Sequence, residues 1–134
     1  MRKVLIVAAV LAGCSDSPGW SRDELPARAR IDVALTGTSA DTCALWASNS
    51  AFVSIEAGAL DTDAPTIKVG VMPESCAWAS DSQLGCSLEH GPVGSLLIDF
   101  DRSIASQVFA YTDGGGAALT CMIDYQITAV VALP

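Results

Sequence analysis

The sequence predicts an all-β domain, with an antiparallel β-sandwich of immunoglobulin-like architecture as the expected arrangement and a small closed β-barrel as the alternative. Short segments of alternating apolar and polar residues recur along the 134-residue chain, with Gly, Pro, Asn and Asp between them. No segment combines helical period with helical length. Apolar residues make up 51% of the chain, which is enough for a core and argues against a disordered body.

The N-terminal stretch contains a candidate export signal. A basic pair at positions 2 and 3 precedes an apolar run over 4–10, far shorter than the roughly 20 residues that a membrane-spanning helix needs. The run leads into Leu11-Ala12-Gly13-Cys14, in which small residues precede a thiol. This stretch resembles the lipobox of bacterial lipoproteins. The resemblance implies that residues 1–13 are a signal peptide and that Cys14 becomes the first mature residue, carrying acyl chains such as palmitate.

The resemblance also implies a location. The mature protein would be held to a membrane by its N-terminal lipid, in the bacterial cell envelope, facing the periplasm or the exterior. Ser15 rather than aspartate follows the cysteine, which by similarity to enteric lipoproteins favours the outer membrane. Removal of the two basic residues with the signal peptide takes the formal charge from −8 to −10. This acidity disfavours nucleic acid as a partner and anionic lipid as a binding surface, so membrane attachment depends on the acyl chains.

Residues 14–27 are expected to form a flexible tether to a single β domain over residues 28–134. The tether is polar, contains two prolines and Gly19, and shows no periodicity. Its Ser21 and Glu24 have capping-box spacing, but a proline follows too soon for more than about one helical turn. Trp20 has two interpretations: it rests at the lipid interface, or it packs back onto the domain.

The first half of the β domain opens with its clearest strand. Ile31, Val33 and Leu35 alternate with polar or small residues and are expected on one face. Further strands are predicted over 42–47, 52–57 and 66–72, the last ended by Pro73. In the strand over 66–72, the expected inner face is formed by Ile67, Val69 and Val71.

The second half contains a hairpin over 76–88, a strand over 96–101 and a final hairpin. Residues 106–112 and 117–125 form the last hairpin, because three glycines follow Asp113 and can take the positive φ of tight turns. Phe109 and Tyr111 are expected inside. Apolar residues in one phase then continue from Leu119 to Leu133, too long for an ordinary strand, so a bulge is expected near Gln126.

Four cysteines remain in the exported domain, and this even number predicts two disulfides in an oxidising compartment, with three connectivities formally possible. A hairpin turning about Asp81 places Cys76 directly opposite Cys86, within bonding range. Cys43 and Cys121 then pair, closing a loop of about 79 residues worth on the order of 4 kcal/mol in the chain-entropy model. A metal site is the competing interpretation, but the chain has one histidine and no Cys-x-x-Cys pair.

The cysteines invite comparison with immunoglobulin domains. In those domains a tryptophan lies on the strand after the first bridging cysteine, and a tyrosine lies two residues before the second. Here Leu119 occupies the tyrosine position, and Trp46 follows Cys43 too closely along the chain. The comparison gives no support for membership of the immunoglobulin family, and an immunoglobulin-like architecture stays an expectation.

Candidate catalytic chemistry is sparse. His90 is the only histidine, and Glu89 beside it makes a general base conceivable. Adjacent strand residues point to opposite faces, however, and the pair lies at an expected turn, so a solvated loop histidine is the simpler interpretation. No serine lies in Gly-x-Ser-x-Gly. We therefore expect neither a catalytic residue nor a cofactor.

Acidic residues in predicted loops offer one further possibility. If these loops converged at one end of the domain, their carboxylates could bind calcium through oxygen ligands. The residues concerned are Asp61, Asp63, Asp99, Asp101 and Asp113. The simpler interpretation is that such aspartates face solvent or open turns, and no calcium-loop motif is present. We therefore expect no metal site.

Three function classes remain. The expected one is a non-catalytic envelope lipoprotein, a structural or binding module that contacts a protein or envelope component through a loop end or an exposed sheet edge. The alternative is a periplasmic inhibitor of a lysozyme or protease, in which an acidic surface would steer a basic enzyme. A hydrolase with an unrecognised site comes third.

Overall fold

A computed structural model of the chain describes residues 19–38, 43, 52–90, 93–112 and 114–134. The predicted lipobox with Cys14, and also Asp113, lie outside the described residues. Of the strand predicted over 42–47, the structure describes Cys43 alone, and its backbone is helical rather than extended.

The described residues form one short helical turn followed by eight strands. A 3-10 turn at Arg22–Glu24 comes first. The strands are β1 (Ala29–Thr38), β2 (Ser54–Gly58), β3 (Thr66–Lys68), β4 (Pro73–Trp78), β5 (Gln83–Leu88), β6 (Gly94–Asp99), β7 (Ile104–Thr112) and β8 (Ala118–Ala132). Within the described part of the chain, no helix has the length and apolar character needed to cross a membrane.

The strands close into an antiparallel barrel. Each strand pairs with its neighbours in the chain, and β8 pairs with β1 as well as with β7. The all-β prediction is confirmed, and the arrangement is the closed barrel given as the alternative, not the expected sandwich. The physical reason lies in the length of β8, which pairs with β7 over residues 118–126 and with β1 over residues 123–132.

The expected bulge in β8 lies two residues beyond Gln126. Asp32 pairs with Ala129 and Val33 pairs with Ile127, which leaves Thr128 as the extra residue on β8. Beyond this bulge the inward phase changes, so that Val130 is buried. The prediction of one continuous phase is therefore wrong from Ala129 onward, where Ala129, Val131 and Leu133 are partly exposed.

Two other predicted strands change near their ends. The strand predicted over 66–72 stops at Lys68, because Lys68 pairs with Pro73 across a four-residue turn. Pro73 therefore begins β4 instead of ending a strand, and Val71 is exposed. Leu35, expected inside, is also exposed, and it lies next to a second register shift between β1 and β8.

Side chains fill the barrel interior. The largest fully buried residues are Tyr125, Phe100, Phe109, Ile31, Ile55, Leu60, Ile67, Leu84, Leu96, Ile98, Ile123 and Gln107. Eight strands enclose a space just wide enough for such side chains. The prediction that Phe109 and Tyr111 face inward is confirmed.

A polar pair inside the core is satisfied internally. The Tyr125 hydroxyl donates to Oε1 of the buried Gln107 at 2.8 Å and accepts from the Phe52 backbone N–H at 3.4 Å. The rings of Phe52 and Tyr125 stack with centroids 5.2 Å apart. Burial raises the pKa of Tyr125 to about 12, although the hydrogen bond from Phe52 acts to lower it. The phenol thus stays neutral at physiological pH and ties β8 to the residues before β2.

The up-and-down topology gives the barrel two distinct ends. The connections β1–β2, β3–β4, β5–β6 and β7–β8 lie at one end, which we call the loop end. The chain enters β1 at the opposite end, which also carries the connections β2–β3, β4–β5 and β6–β7. We call this the strap end, because residues 19–27, the strap, pack across it.

The strap is part of the folded domain. Trp20 is 3% exposed, and its backbone N–H donates to the Phe100 carbonyl at 3.1 Å, on the β6–β7 connection. The Arg22 N–H donates to the Asp81 carbonyl on the β4–β5 connection, and the Arg22 guanidinium donates to the Thr62 carbonyl on the β2–β3 connection. Three connections are therefore bound by one short segment.

Two further contacts fix the strap. A Cβ at Gly19 would lie 2.9 Å from Oδ1 of Asp101, so the chain passes too close to the β6–β7 connection for a side chain there. The Ser21 N–H donates to the Glu24 carboxylate at 2.9 Å, as the capping-box spacing predicts. Trp20 thus follows the second of its two interpretations and packs on the domain. Over residues 19–27 the predicted tether is held in place.

Candidate functional site at the loop end

The loop end exposes apolar side chains on several connections at once. Val71 and Met72 lie on the β3–β4 turn, and Val93 lies on the β5–β6 connection. Val53 precedes β2, and Leu119 is the second residue of β8. Val71 is 85% exposed and Val53 80% exposed. Single exposed apolar residues are ordinary, but a set gathered at one end of a domain marks a candidate contact surface.

A buried carboxylate holds one of these connections. Glu74 on β4 is 3% exposed, because alternation places it on the inner side of the strand, two residues before the buried Cys76. Its Oε1 accepts from the Glu89 backbone N–H at 3.1 Å, and its Oε2 accepts from the His90 backbone N–H at 3.1 Å. Nδ1 of His90 lies 2.9 Å from Oε1 of Glu74. Glu74 therefore binds both the backbone and the imidazole of the β5–β6 connection.

The hydrogen bonds keep Glu74 ionised. Burial acts to raise the pKa of Glu74, but the backbone N–H groups of Glu89 and His90 and the His90 imidazole together outweigh burial and lower the pKa below its ordinary value of 4.5. An ionised carboxylate can only accept hydrogen bonds, so Nδ1 of His90 carries the proton that faces it. When the ring carries one proton, Nε2 then holds the lone pair.

This arrangement gives an oriented imidazole at the loop end. The His90 side chain is 48% exposed. An imidazole held by a carboxylate through one nitrogen can accept a proton, accept a hydrogen bond or bind a metal ion through the other. Within the described ranges, no three His, Cys, Asp or Glu side chains lie together in a way that could hold a metal ion. The observed bonds hold Glu89 and His90, the first two residues of the β5–β6 connection, against β4.

The sequence interpretation identified the histidine but missed its partner. Glu89, the expected neighbour, contributes its backbone N–H, and the carboxylate that contacts His90 belongs to Glu74. A usable signal was present, since Glu74 shares the period-two phase of Cys76 and therefore lies on the inner face. Its contact with the β5–β6 connection depends on the pairing of β4 with β5.

The two disulfides have the predicted connectivity. Cys76 bonds to Cys86, and the register Cys76–Cys86 and Trp78–Leu84 matches the predicted hairpin. Cys43 bonds to Cys121, with both residues buried. The second bond attaches the long β1–β2 connection to β8, and it stabilises the loop end.

Acidic side chains are concentrated at the strap end. This end carries Asp23, Glu24, Asp61, Asp63, Asp81, Asp99 and Asp101, with the cations Arg22, Arg28 and Arg102. Seven of the twelve acidic residues that the structure describes thus lie at the strap end, whereas the exposed Glu89 lies beside the apolar residues of the loop end. The two ends of the barrel differ in chemistry as well as in connectivity.

Two of the aspartates considered for calcium have other partners. Oδ1 of Asp63 accepts from the Arg22 guanidinium at 3.0 Å. Oδ1 of the buried Asp99 accepts from the backbone N–H groups of Asp101 and Arg102 at 3.1 and 3.2 Å, and its Oδ2 accepts from Nε2 of Gln83 at 3.2 Å. Asp61 and Asp101 are exposed. Asp63 thus pairs with an arginine and Asp99 caps a turn, and these described aspartates do not converge on a common centre.

Comparison with known proteins adds no relative from which a function could be transferred. No family model, no curated protein and no solved structure matches this chain.

Proposed function

We propose that this protein is a membrane-anchored extracytoplasmic lipoprotein whose barrel is a non-catalytic binding module of the cell envelope, with the loop end as its docking surface. The observation that carries the docking surface is the set of exposed apolar residues on separate connections at this end. The lipobox resemblance at Cys14 supports the anchor, and the two disulfides fit an oxidising compartment.

Closure of the barrel favours the loop end over a sheet edge. Binding by strand addition requires a strand with unpaired backbone groups. Each of β1 to β8 has a partner on both sides in the closed order, and the shortest overlap relative to strand length is that of β1 with β2, over residues 29–32. Of the two binding modes predicted from the sequence, a loop end and an exposed sheet edge, the loop end is therefore the better supported.

The strap supports a definite orientation on the membrane. A lipid on Cys14 would lie five residues before Gly19, which packs at the strap end. The ten residues of β1, tilted as barrel strands are, separate the two ends by about 25 Å. The lipid would thus hold the strap end near the membrane, and the loop end would face away from it, accessible to a partner.

The charge distribution favours an apolar partner surface. Seven of the twelve acidic residues that the structure describes lie at the strap end. The loop end offers valines, a methionine and the half-exposed His90, with the exposed Glu89 as its described carboxylate besides the buried Glu74. A basic enzyme attracted by acidic side chains fits this end less well, so the inhibitor alternative has weaker support than a partner with an apolar, weakly charged patch.

Site-specific photocrosslinking tests the docking surface. The full chain would carry p-benzoylphenylalanine in place of Val71 or Val93, with Asp61, an exposed residue on a strap-end connection, as the matched control position. We expect a protein adduct of the same mass from both loop-end positions and none from Asp61. Equal adducts at all three positions, or none at the loop end, would overturn the proposed surface. A captured muramidase or protease that loses activity would replace the binding-module proposal with the inhibitor alternative.

Lipid labelling tests the anchor. The full chain should incorporate labelled palmitate and shift in size on processing, and Cys14→Ala should abolish both changes. As the control, Cys43→Ala removes a different cysteine and should leave labelling intact. Labelling that persists in Cys14→Ala would refute the lipoprotein proposal.

A further inference from the structure

An oriented imidazole lies among the exposed apolar side chains of the loop end. Nδ1 of His90 lies 2.9 Å from Oε1 of Glu74, whose side chain is 2% exposed, while the His90 side chain is 48% exposed. Because the ring turns Nδ1 toward the buried carboxylate, Nε2 lies on the side of the ring away from it. Among the residues that the structure describes, none makes a hydrogen bond with Nε2.

The ionised carboxylate determines what Nε2 can do. Glu74 can only accept hydrogen bonds, so Nδ1 of His90 donates to it. In the uncharged ring Nε2 is then a hydrogen-bond acceptor. His90 thus presents an acceptor, and not a donor, to a partner that covers the loop end.

Three hydrogen bonds fix the position of this acceptor. The backbone N–H groups of Glu89 and His90 each donate to the Glu74 carboxylate at 3.1 Å, and the imidazole makes the third contact. The same buried carboxylate therefore holds both the backbone and the ring. A side chain that is already oriented loses little conformational entropy when a partner binds, so this ring is suited to a directional contact.

The surroundings of His90 favour a neutral donor. Met72, two residues before Glu74, is 50% exposed, and Val93, three residues after His90, is 64% exposed. A partner that covers these aliphatic side chains removes water from the ring, and a charged donor buried there would lose its hydration against an uncharged acceptor. A hydroxyl or an amide N–H loses much less hydration, and its hydrogen bond to Nε2 compensates for that loss.

We propose that Nε2 of His90 accepts a hydrogen bond from a neutral donor of the partner protein, a hydroxyl or an amide N–H set within an apolar patch. His90 then selects among apolar partners, because a partner without the donor leaves Nε2 buried and unpaired. This contact belongs to the docking surface of the proposed function and rests on it.

Nitrogen NMR of the full chain, without an oligohistidine tag, tests the acceptor in the free protein. His90 is the only histidine, so its ring signals need no assignment. Above neutral pH, where an ordinary imidazole is uncharged, we expect Nδ1 to carry the proton and Nε2 to be unprotonated. A proton on Nε2 in place of Nδ1 would overturn the proposed contact and leave the docking surface untouched.

Photocrosslinking from position 71 tests the contact with the partner. In that background, His90→Asn retains an amide NH₂ that can donate to Glu74 in place of Nδ1, and it has no atom at the position of Nε2. We expect the adduct yield to fall at least about fivefold, because the partner's donor is left unpaired. Glu89→Gln, the matched control, changes the exposed neighbour and should keep the yield within about twofold of the parent.

The remaining outcomes separate this contact from the docking surface. An unchanged yield in His90→Asn would overturn the contact while the surface stands, and an equal loss in Glu89→Gln would indicate a charged donor in place of the neutral one. Faster amide exchange at Glu89 in His90→Asn would show that the connection has moved, which also contradicts the contact. Absence of any adduct from position 71 with His90 intact would overturn the docking surface, and this contact with it.

Discussion

At the scale of single residues, Glu74 connects sequence to fold most directly. A buried carboxylate is unfavourable unless hydrogen bonds compensate for lost hydration. Here the compensation comes from two backbone N–H groups and an imidazole, all on the β5–β6 connection. The same bonds that keep the carboxylate ionised therefore determine the conformation of one connection at the proposed docking surface.

Glu74→Gln should destabilise the fold at neutral pH and make its free energy of unfolding depend less on pH in the acidic range. The amide of the variant cannot make the charge-assisted hydrogen bonds of the carboxylate, and it directs its NH₂ group at a backbone donor. We therefore expect the free energy of unfolding to fall by about 2 kcal/mol at pH 7. Since the folded pKa of Glu74 lies below its ordinary value of 4.5, the wild-type stabilisation is present above that value and is lost as pH falls through the folded pKa. Urea unfolding at pH 7, 5 and 3 measures the difference.

Glu89→Gln is the matched control, because it removes a carboxylate from an exposed neighbour whose backbone N–H still donates to Glu74. Its stability should follow the wild type at each pH. A wild-type-minus-Glu74→Gln difference that stays constant from pH 7 to 3 would contradict the assigned role of Glu74.

Gly94 is a second position where a single residue is decisive, because the packing there leaves no room for a Cβ. It pairs with Phe109 on β7, and a Cβ there would lie 2.8 Å from the Phe109 Cα and overlap the Val108 carbonyl oxygen. Because these are backbone atoms, the strand has to move. Gly94→Ala should therefore lower the free energy of unfolding by about 3 kcal/mol, as measured by denaturant titration.

The control for Gly94→Ala is Gly85→Ala on the neighbouring strand. Its new methyl group would make ordinary contact with the Ala77 carbonyl at 3.9 Å, so stability should change by less than about 0.5 kcal/mol. Similar losses in both variants would contradict the packing explanation, because backbone entropy alone would make either Gly→Ala change stabilising.

At the scale of elements, the strap and β8 give the barrel its distinct ends. The strap binds three connections through Trp20 and Arg22. β8 closes the cylinder by pairing along both of its sides. One element thus seals an end and the other removes the sheet edges, which leaves the loop end as the end with exposed apolar connections.

Trp20→Ala should show whether the strap contributes to the fold. Removal of a buried indole creates a cavity under the strap, so we expect the free energy of unfolding to fall by about 3 kcal/mol and amide exchange to rise in the strap and at Phe100. Asp23→Ala, which changes an exposed residue of the same helical turn, should leave both measurements near wild type. A Trp20→Ala variant as stable as wild type would contradict a structural role for the strap.

At the scale of the whole molecule, the two disulfides constrain the chain over different lengths. Cys43–Cys121 spans 78 positions, and Cys76–Cys86 spans 10. In the chain-entropy model these separations correspond to about 4.5 and about 2.7 kcal/mol. Replacement of the Cys43–Cys121 pair by serines should therefore cost more stability than the same change at Cys76–Cys86, as measured by thermal and urea unfolding. The opposite order would show that local hairpin stability outweighs loop closure.

Much of the local structure follows from patterns within the sequence. The Cys76–Cys86 hairpin was predicted in its correct register, because a short turn fixes which residues of an antiparallel pair oppose each other. Errors came where pairing partners are distant. Val71 and Leu35 continue an apolar alternation yet are exposed, since a turn and a register shift interrupt their strands.

The candidate site was less accessible to sequence reasoning. His90 was noted as a lone histidine, but its contact with Glu74 requires β4 beside β5. The apolar residues Val53, Val71 and Val93 are scattered along the chain, and they share one end only because the strands run up and down. Neither the Glu74–His90 contact nor the gathering of these valines corresponds to a short motif in the sequence.

The sequence by itself determined the class of secondary structure, the disulfide connectivity and the inward face of most strands. Those properties depend on residue alternation and on pairing within hairpins, which are local. The tertiary structure alone decided that the sheet closes, that the strap seals one end and that apolar connections gather at the other. These outcomes depend on the pairing of β8 with β1, which joins the two ends of the domain's sequence through hydrogen bonds that no local pattern specifies.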